Sequence, residues 1–332
     1  DTAAFLAAMF SFGFWRETLR TTEVIKSMTK FRAQVLMYGQ AAAILKSLKA
    51  SELDATGVIY YSYWSKAGAL ALAYLRERGN TSPMVSRAHG YDIYRERNKG
   101  DYIPFRPCIF RNLDLILPIS RDGYNYLSNQ DGLSESKLRI SKLGVQAASA
   151  KADYSKDLDD LHILSCSHIV AVKRLELLVS ALIILDEHLV GKKIKWTHIG
   201  SGPLETHMKT LASKMGNSVE VNFKGQLDHN AVMNYYESHK VDLLVSVSES
   251  EGIPVSMMEA QSYSIPIMST IVGGVAEIVN DQNGYPLLAE VDAQTIADEL
   301  RTILADKKQL MGKRAHAYSS WEQSYQAAKN YG

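Results

Sequence analysis

The sequence predicts an α/β protein of two Rossmann-like domains facing each other across a cleft, and three observations predict it. At 332 residues the chain is longer than one hydrophobic core usually supports, so two domains of roughly 150 residues each are expected. From residue 57 onward, short apolar β-rich runs alternate with helix-like stretches, which is the pattern of βαβ units around a buried parallel sheet. Between the two halves lies AASAKADYSKDLDD, residues 147–160, small and polar without apolar periodicity. It reads as a linker between a first domain over 1–150 and a second over 160–310. A last helix over 311–332 is expected to pack back on the first domain.

Each element follows in order. Residues 1–56 read as mainly helical, and the apolar segment Ala3 to Trp15 reads as a buried helix rather than a membrane-surface anchor. A first strand and a glycine-rich phosphate loop, which open most Rossmann-like domains, are not visible there. A truncated N-terminal domain is therefore expected. The strands of the first half are VIYYSYW, PMVSRAH and LILPIS; those of the second are LHILSCSHIV, IKWTHIG, VEVNFKG, VDLLVSVS and IPIMST.

Composition narrows the partners. Lys and Arg total 37 against 36 Asp and Glu, a net charge of +1, so no global field favours a nucleic acid backbone and any anion must be held by local groups. Hydrophobic residues make up 46% and charged residues 22%, as in a globular protein with material for buried sheets. Cys108 and Cys166 are too far apart for a metal motif and too few for a disulfide scaffold, which points to a reducing cytoplasm. No apolar run reaches the about 18 residues that a bilayer span requires.

The most informative stretch is VDLLVSVSESEGIPVSMMEAQSYSIPIMSTIVGGVAEIV, residues 241–279. A buried strand ends near Ser246 to Ser250, the chain turns at Glu251 and Gly252, and Pro254 suits the first position of a helix. That helix start would project from the carboxyl edge of the sheet, where open α/β sheets bind ligands. Its free N–H groups, around Val255 and Ser256, favour a phosphate or a sugar hydroxyl, and Gly252 and Ile253 are expected on the donor side with them. Glu251 precedes the helix and Glu259 lies about 8 Å along it at about 1.5 Å per residue. Two carboxylates so placed could grip hydroxyls at the two ends of a nucleotide diphosphate sugar.

Glu251, seven intervening residues and Glu259, followed by Gly273-Gly274 and Glu277, resemble the family 4 retaining glycosyltransferases of the GT-B fold. With RAHGYDIY and AVKRLELL, the likeness is greatest to bacterial exopolysaccharide enzymes of the amylovoran and colanic acid type. It covers about residues 57–305 and is most specific in 161–280. The resemblance implies transfer of a hexose, with retention, from a nucleotide diphosphate sugar to a saccharide or lipid-linked saccharide. The donor is a substrate, and neither a cofactor nor a metal is implied.

Residue by residue, the resemblance makes Lys173, at the start of the helix in SCSHIVAVKRLELLVSAL, the donor-phosphate lysine. Where the family carries an arginine this chain has His168, so the second cation is either His168 or Arg174. The resemblance puts the turn IGSGPLE, with Gly200 and Gly202, beside the nucleotide, although ordinary turn chemistry predicts these glycines equally well, and FKGQLDHNAVMNYY, with Lys224 to Leu227, near the base. In the first half, Arg87, His89, Gly90 and Asp92 follow an apolar strand and are expected at the acceptor side, His89 near the transferred sugar. Catalytic roles thus fall to His89, Lys173 and Glu251, with Glu259 on the ribose diol. Tyr60, Tyr61, Tyr63 and Trp64 lie at a strand end on the same side; stacking on sugars is open to them, but core packing is the main reading. Asp157-Leu158-Asp159 mimics a metal-binding DxD motif but reads as a solvated charge cluster in the linker.

A lipid-linked acceptor would bring a cytoplasmic enzyme to the inner face of the plasma membrane as a peripheral protein. Rival readings are a non-catalytic GT-B binding or partner subunit, motivated by His168 and the absent N-terminal loop, and a nucleotide-sugar epimerase or phosphorylase of similar architecture. A dehydrogenase is disfavoured because no G-x-G-x-x-G follows a strand.

Overall fold

The computed structural model describes residues 8–50, 57–148 and 160–331. The chain divides into two compact units, Asp1–Ser141 and Lys142–Gly332, each considered separately.

In the first unit, α1 (Phe12–Arg20), α2 (Thr22–Ile25) and α3 (Met28–Ala50) precede β1 (Tyr60–Ser62), α4 (Ala67–Glu77), β2 (Met84–Ala88), α5 (Arg106–Asn112), β3 (Leu115–Pro118) and α6 (Arg121–Asp131). The strands form a parallel sheet in the order β1-β2-β3. The segment AGALALAYLRE of α4 is small and apolar because Ala67 and every residue from Ala69 to Leu75 is buried, and it packs on α3. Of the apolar N-terminal segment, Phe14 is fully buried among Trp15, Phe31, Tyr38 and Phe105 in edge-to-face contacts. Phe10 and Phe12 are exposed, so burial holds one side of this segment only; residues 3–7 lie outside the described residues.

The second unit contains β4 (Leu161–Cys166), α7 (Leu175–Asp186), β5 (Ile194–Ile199), α8 (Glu205–Ala212), β6 (Val219–Phe223), α9 (His229–Ser238), β7 (Leu243–Ser246), α10 (Val255–Ser262), β8 (Ile267–Thr270), β9 (Gly284–Leu287), α11 (Ala293–Ala305), α12 (Lys307–Ser324) and α13 (Ala327–Tyr331). Its sheet runs β6-β5-β4-β7-β8-β9, with every pair parallel. Leu161, Ile163, Leu164, Ile194, Trp196, Leu243, Leu244, Ile267 and Met268 are buried, as expected of strands covered on both faces. The strand order reverses between β4 and β7, which opens a crevice at their carboxyl ends.

The expected strands from VIYYSYW to IPIMST all form. β9 was not expected: its sequence Gly-Tyr-Pro-Leu contains two residues that argue against a strand. It is tolerated because β9 is the sheet edge, pairing with β8 alone. Gly284 is required there, since a Cβ would come within 2.3 Å of the Ile267 carbonyl oxygen.

The boundary falls near residue 141 rather than at 150, for a structural reason. Val145 N–H donates to the Tyr325 carbonyl and Ala327 N–H to the Val145 carbonyl, both at 2.9 Å, and Asn330 Nδ2 donates to the Leu143 carbonyl at 2.7 Å. The final helix therefore meets residues 143–145, which group with the second unit. Helix α12 packs on α10, and its buried Arg314 reaches Asp242 at 2.9 Å. Asp157 to Asp159 lie outside the described residues. Among the described residues, no helix is long and apolar enough to cross a membrane.

Candidate active site

The crevice at the carboxyl ends of β4 and β7 is built from two loops, residues 167–174 after β4 and 247–254 after β7. The loops are tied together by backbone: Glu249 N–H donates to the Val172 carbonyl at 2.8 Å. Pro254 is the N-cap, with φ −67° and ψ 130°, so the helix begins one residue later than the sequence predicts. By helix geometry the first N–H groups of α10, those of Val255 and Ser256, have no acceptor within the helix, and they carry the positive end of its dipole. Ile253 is buried beneath this turn and Gly252 is partly exposed.

Glu251 is buried. Its Oε1 accepts from Lys173 Nζ at 2.5 Å and from Ser248 Oγ at 2.6 Å. Lys173 ends the short turn Ala171–Lys173, which is closed by Arg174 in the left-handed region at φ 45°. Glu259, on α10, is also buried, and its Oε1 stands 3.2 Å from Nδ1 of the exposed His229. Burial pushes the Glu259 carboxyl above its ordinary range, with His229 opposing. Cys166, at the end of β4, connects the two: burial raises its thiol to about 12, the Glu259 charge adds to this and Lys173 opposes it. A reactive thiolate is thereby excluded at neutral pH, and Glu259 and Lys173 bear on the same side chain.

Arg174 and His168 differ in what they can offer a phosphate. The Arg174 guanidinium donates from Nε to the Val247 carbonyl at 2.7 Å and from Nη2 to the Ala289 carbonyl at 2.9 Å, so it braces the loop after β7. His168 is exposed in the loop after β4. Gly200 and Gly202 serve backbone packing: Ser167 N–H donates to the Ile199 carbonyl and Ile169 N–H to the Ser201 carbonyl, each at 3.0 Å. A Cβ on Gly200, at φ 140°, would lie 1.9 Å from the Ser167 carbonyl oxygen, and one on Gly202 would lie 2.4 Å from that of Ile169. Gly200→Ala is expected to cost about 1–3 kcal/mol in strain and to lower the melting temperature of the second unit. An unchanged melting temperature would show that the loops are not locked in this way. Lys224 to Leu227 adjoin the same loop: Gly200 N–H donates to the Gly225 carbonyl at 2.8 Å, and Ser201 Oγ donates to Gln226 Oε1 at 3.2 Å.

In the first unit, His89 and Gly90 follow β2 directly, and both are buried. Arg87 is still within β2, buried, with Nη2 donating to Ser141 Oγ at 2.7 Å. Asp92 is buried too, and its carboxylate accepts the Ser65 N–H at 2.7 Å and the His89 N–H at 2.5 Å. It therefore pins the turn after β1 to the turn after β2. Tyr60 is buried, whereas Tyr61, Tyr63 and Trp64 are exposed, against the core reading for those three. Among the described residues, one trio of potential metal ligands, Glu17, Glu77 and Cys108, lies within 4.8 Å. Arg16, Arg20 and Arg111 already pair with its carboxylates.

Sequence reasoning missed Ser248 and His229 as partners of the two glutamates, and Cys166 as the side chain on which both Glu259 and Lys173 bear. Ser248 sits in the alternating run SVSES and His229 just beyond Leu227, and spacing along the chain gives no signal for either contact.

The family model described as Glycosyl transferases group 1 matches residues 147–319, just over half of the chain. The chain belongs to the group 1 glycosyltransferases. The matched span contains every donor-side residue named above, from His168 to Glu259, whereas the residues around His89 lie before it. Among curated relatives, this group 1 family member is 30% identical over 249 residues to the protein named colanic acid biosynthesis glycosyltransferase WcaL of Escherichia coli (strain K12), covering 73% of this chain and 60% of that one. It is 29% identical over 248 residues to the amylovoran biosynthesis glycosyltransferase AmsK of Erwinia amylovora, covering 72% and 59%. The chain thus spans about 60% of the length of these relatives. Among solved structures, the lipopolysaccharide outer core galactosyltransferase WaaB in its apo form aligns with a TM-score of 0.66 at 17% identity, over 88% of this chain and 78% of that one. Anabaena HepE in complex with UDP and glucose aligns with a TM-score of 0.67 at 16% identity, over 87% and 78%. At these identities the likeness is one of fold, and the fold is of the GT-B type.

Proposed function

We propose that the chain transfers a hexose from a nucleotide diphosphate sugar, with retention of configuration, to a saccharide or lipid-linked saccharide in exopolysaccharide biosynthesis. The observation that carries this reading is the Lys173–Glu251 pair beside the start of α10, at the strand-order reversal of the second sheet. In the empty protein each charge satisfies the other. An arriving diphosphate supplies Lys173 with a second anion, joined by the free N–H groups of Val255 and Ser256, and lets Glu251 turn to the hydroxyls of the hexose. Glu259 holds the ribose diol. With Arg174 occupied by carbonyls, His168 is the second group offered to the phosphates.

In the transfer step the bond between the sugar's C1 and the phosphate oxygen breaks while a bond from the acceptor oxygen to C1 forms on the same face. The acceptor's proton passes to the departing phosphate oxygen. No protein nucleophile takes part, and the developing negative charge is met by a preorganised field from Lys173 and the helix start. In this reading the diphosphate needs no metal, so turnover in EDTA is expected. His89, in the first unit, belongs to the acceptor side, and a lipid-linked acceptor would hold the enzyme peripherally at the inner face of the plasma membrane.

The test is a panel of radiolabelled UDP-, GDP- and dTDP-hexoses incubated with the full chain, with UDP first because HepE was solved with it. Transfer or slow donor hydrolysis with at least one donor, unaffected by EDTA, is expected. Nucleotide binding with no turnover of any donor would make the chain a non-catalytic binding subunit, and an altered donor sugar formed without an acceptor would make it an epimerase.

A further inference from the structure

The turns that leave β1 and β2 place Tyr63 (50% exposed), Trp64 (46%) and Tyr91 (52%) on the surface of the first unit. Single exposed aromatics need no explanation, but these are grouped and held. The Tyr63 and Trp64 rings meet edge to face at 5.9 Å, and both lie against the His89 imidazole, at 4.8 Å and 4.0 Å between centroids. Lys66 Nζ sits 3.7 Å from the centre of the Tyr91 ring. The Asp92 carboxylate, through the backbone of Ser65 and His89, fixes the two turns relative to each other. The rings are thus carried on turns that a buried main-chain brace fixes, and each stays about half exposed.

His89 adds a second, independent observation. It is 6% exposed, yet neither ring nitrogen has a hydrogen-bond partner; Asp92 Oδ2 stands 3.8 Å from Nδ1. A buried imidazole without a partner is costly, and a ligand hydroxyl entering beside Trp64 would satisfy it. Flat apolar faces, a fixed ammonium and an imidazole lacking a partner are the complement of a sugar ring, which has a C–H face and an edge of hydroxyls. A lipid surface would ask for side chains free to insert and a broad basic border, whereas here the rings are braced and one lysine stands among them.

We infer that Tyr63, Trp64 and Tyr91 form a platform on which the acceptor saccharide stacks, with His89 and Lys66 hydrogen-bonding its hydroxyls. This inference rests on the glycosyl-transfer reading above.

The test uses saturation-transfer NMR on the full chain with the methyl glycosides of glucose, galactose, mannose and N-acetylglucosamine at millimolar concentration. Calorimetry with UDP, GDP and dTDP is run on the same samples. At least one glycoside should take up saturation from the aromatic protons on its C–H face. Trp64→Ala should weaken that binding about tenfold, as expected for loss of a stacking partner, while Trp64→Phe restores most of it and nucleotide affinity stays as in the wild type. Trp64 is half exposed, so Trp64→Ala is expected to fold; Tyr63→Ala provides a second variant with the same expected loss. Saturation of none of the four sugars in a chain that binds nucleotide would overturn the platform and leave the donor site standing. So would equal saturation in the wild type and both alanine variants. Binding of no nucleotide would strike the glycosyl-transfer reading itself. Partition of the chain onto phosphatidylglycerol vesicles that depends on Trp64, without sugar binding, would reassign the surface to a membrane.

Discussion

Lys173→Ala should lower donor turnover by about two to three orders of magnitude, the usual loss when one preorganised donor to a developing negative charge is removed. The magnitude follows from where the ammonium sits. Lys173 is held at the loop after β4 by the turn that Arg174 closes, its side chain is 23% exposed, and it faces the start of α10. Water screens a charge in that position poorly, and the field is in place before the diphosphate begins to leave. The substitution also strips Glu251 of its cation and leaves only the Ser248 hydroxyl on that oxygen. A stability loss of about 1–3 kcal/mol is expected as well, from leaving a buried charged acceptor short of a partner. Lys173→Arg separates the two effects: it keeps the charge and the pairing with Glu251 but changes the donor geometry, so stability should return while turnover recovers only in part. Single-turnover hydrolysis of a labelled donor in the absence of acceptor, with melting measured in parallel, reads both. Wild-type hydrolysis by Lys173→Ala would remove the lysine from the leaving group.

Glu259→Gln should weaken nucleotide binding about tenfold to a hundredfold, the range for hydrogen bonds to a charged group, while slightly stabilising the empty protein. The two effects have one cause. Burial raises the pKa of Glu259 in the fold, so the ionised form is penalised there relative to the unfolded chain. The sign follows: below the unfolded pKa both states hold a neutral carboxyl and nothing is lost. As pH rises through the folded pKa, the wild type loses stability relative to the amide variant, and the deficit is complete above it. His229 offsets little, because its side chain is 65% exposed and such pairs contribute weakly. At neutral pH a gain on the order of 1 kcal/mol is expected, typical when a strained functional group is removed. Affinity should move the other way with pH. In the proposed function an ionised Glu259 would accept from both ribose hydroxyls, so nucleotide affinity in the wild type should fall as acidification protonates it, whereas that of the variant should stay flat. Calorimetry across pH checks this, and equal affinities at neutral pH would take Glu259 out of the ribose site.

The sheet edge that carries the candidate site is legible in the sequence. The continuous apolar runs around Leu161, Ile194 and Leu243 admit only strands buried on both faces, and the polar residues after them mark carboxyl ends, so the sheet edge carrying Glu251 could be located from hydropathy alone. Glu259 followed from helical rise once the start at Pro254 was recognised. The displacement of that start by one residue is the ordinary uncertainty of a helix boundary. Less legible were residues whose role depends on what meets them. The sequence leaves His168 and Arg174 both open as the second phosphate cation, and only the structure shows the Arg174 guanidinium bonded to carbonyls 73 and 115 residues away. Gly200 and Gly202 read equally as turn glycines or as room for a ligand, and the backbone of Ser167 and Ile169 packs against both. Asp92 reads as a polar group at the acceptor side, and its carboxylate is a buried clamp on two backbone N–H groups, a role that spacing does not show.

Taken by itself, the sequence determined the alternation of strands and helices, the apolar faces that bury them, and the chemistry at the ends of β4 and β7. Those are short-range properties, set by side-chain periodicity and turn residues within about ten positions. Only the tertiary structure decided that β4 pairs with β7, which makes a crevice out of two loops some 80 residues apart. It also decided that Lys173 closes on Glu251, that His229 stands over Glu259, and that Trp64 lies on His89. Contacts of this kind follow from strand order and register, which emerge only when the whole sheet assembles and which local patterning leaves open.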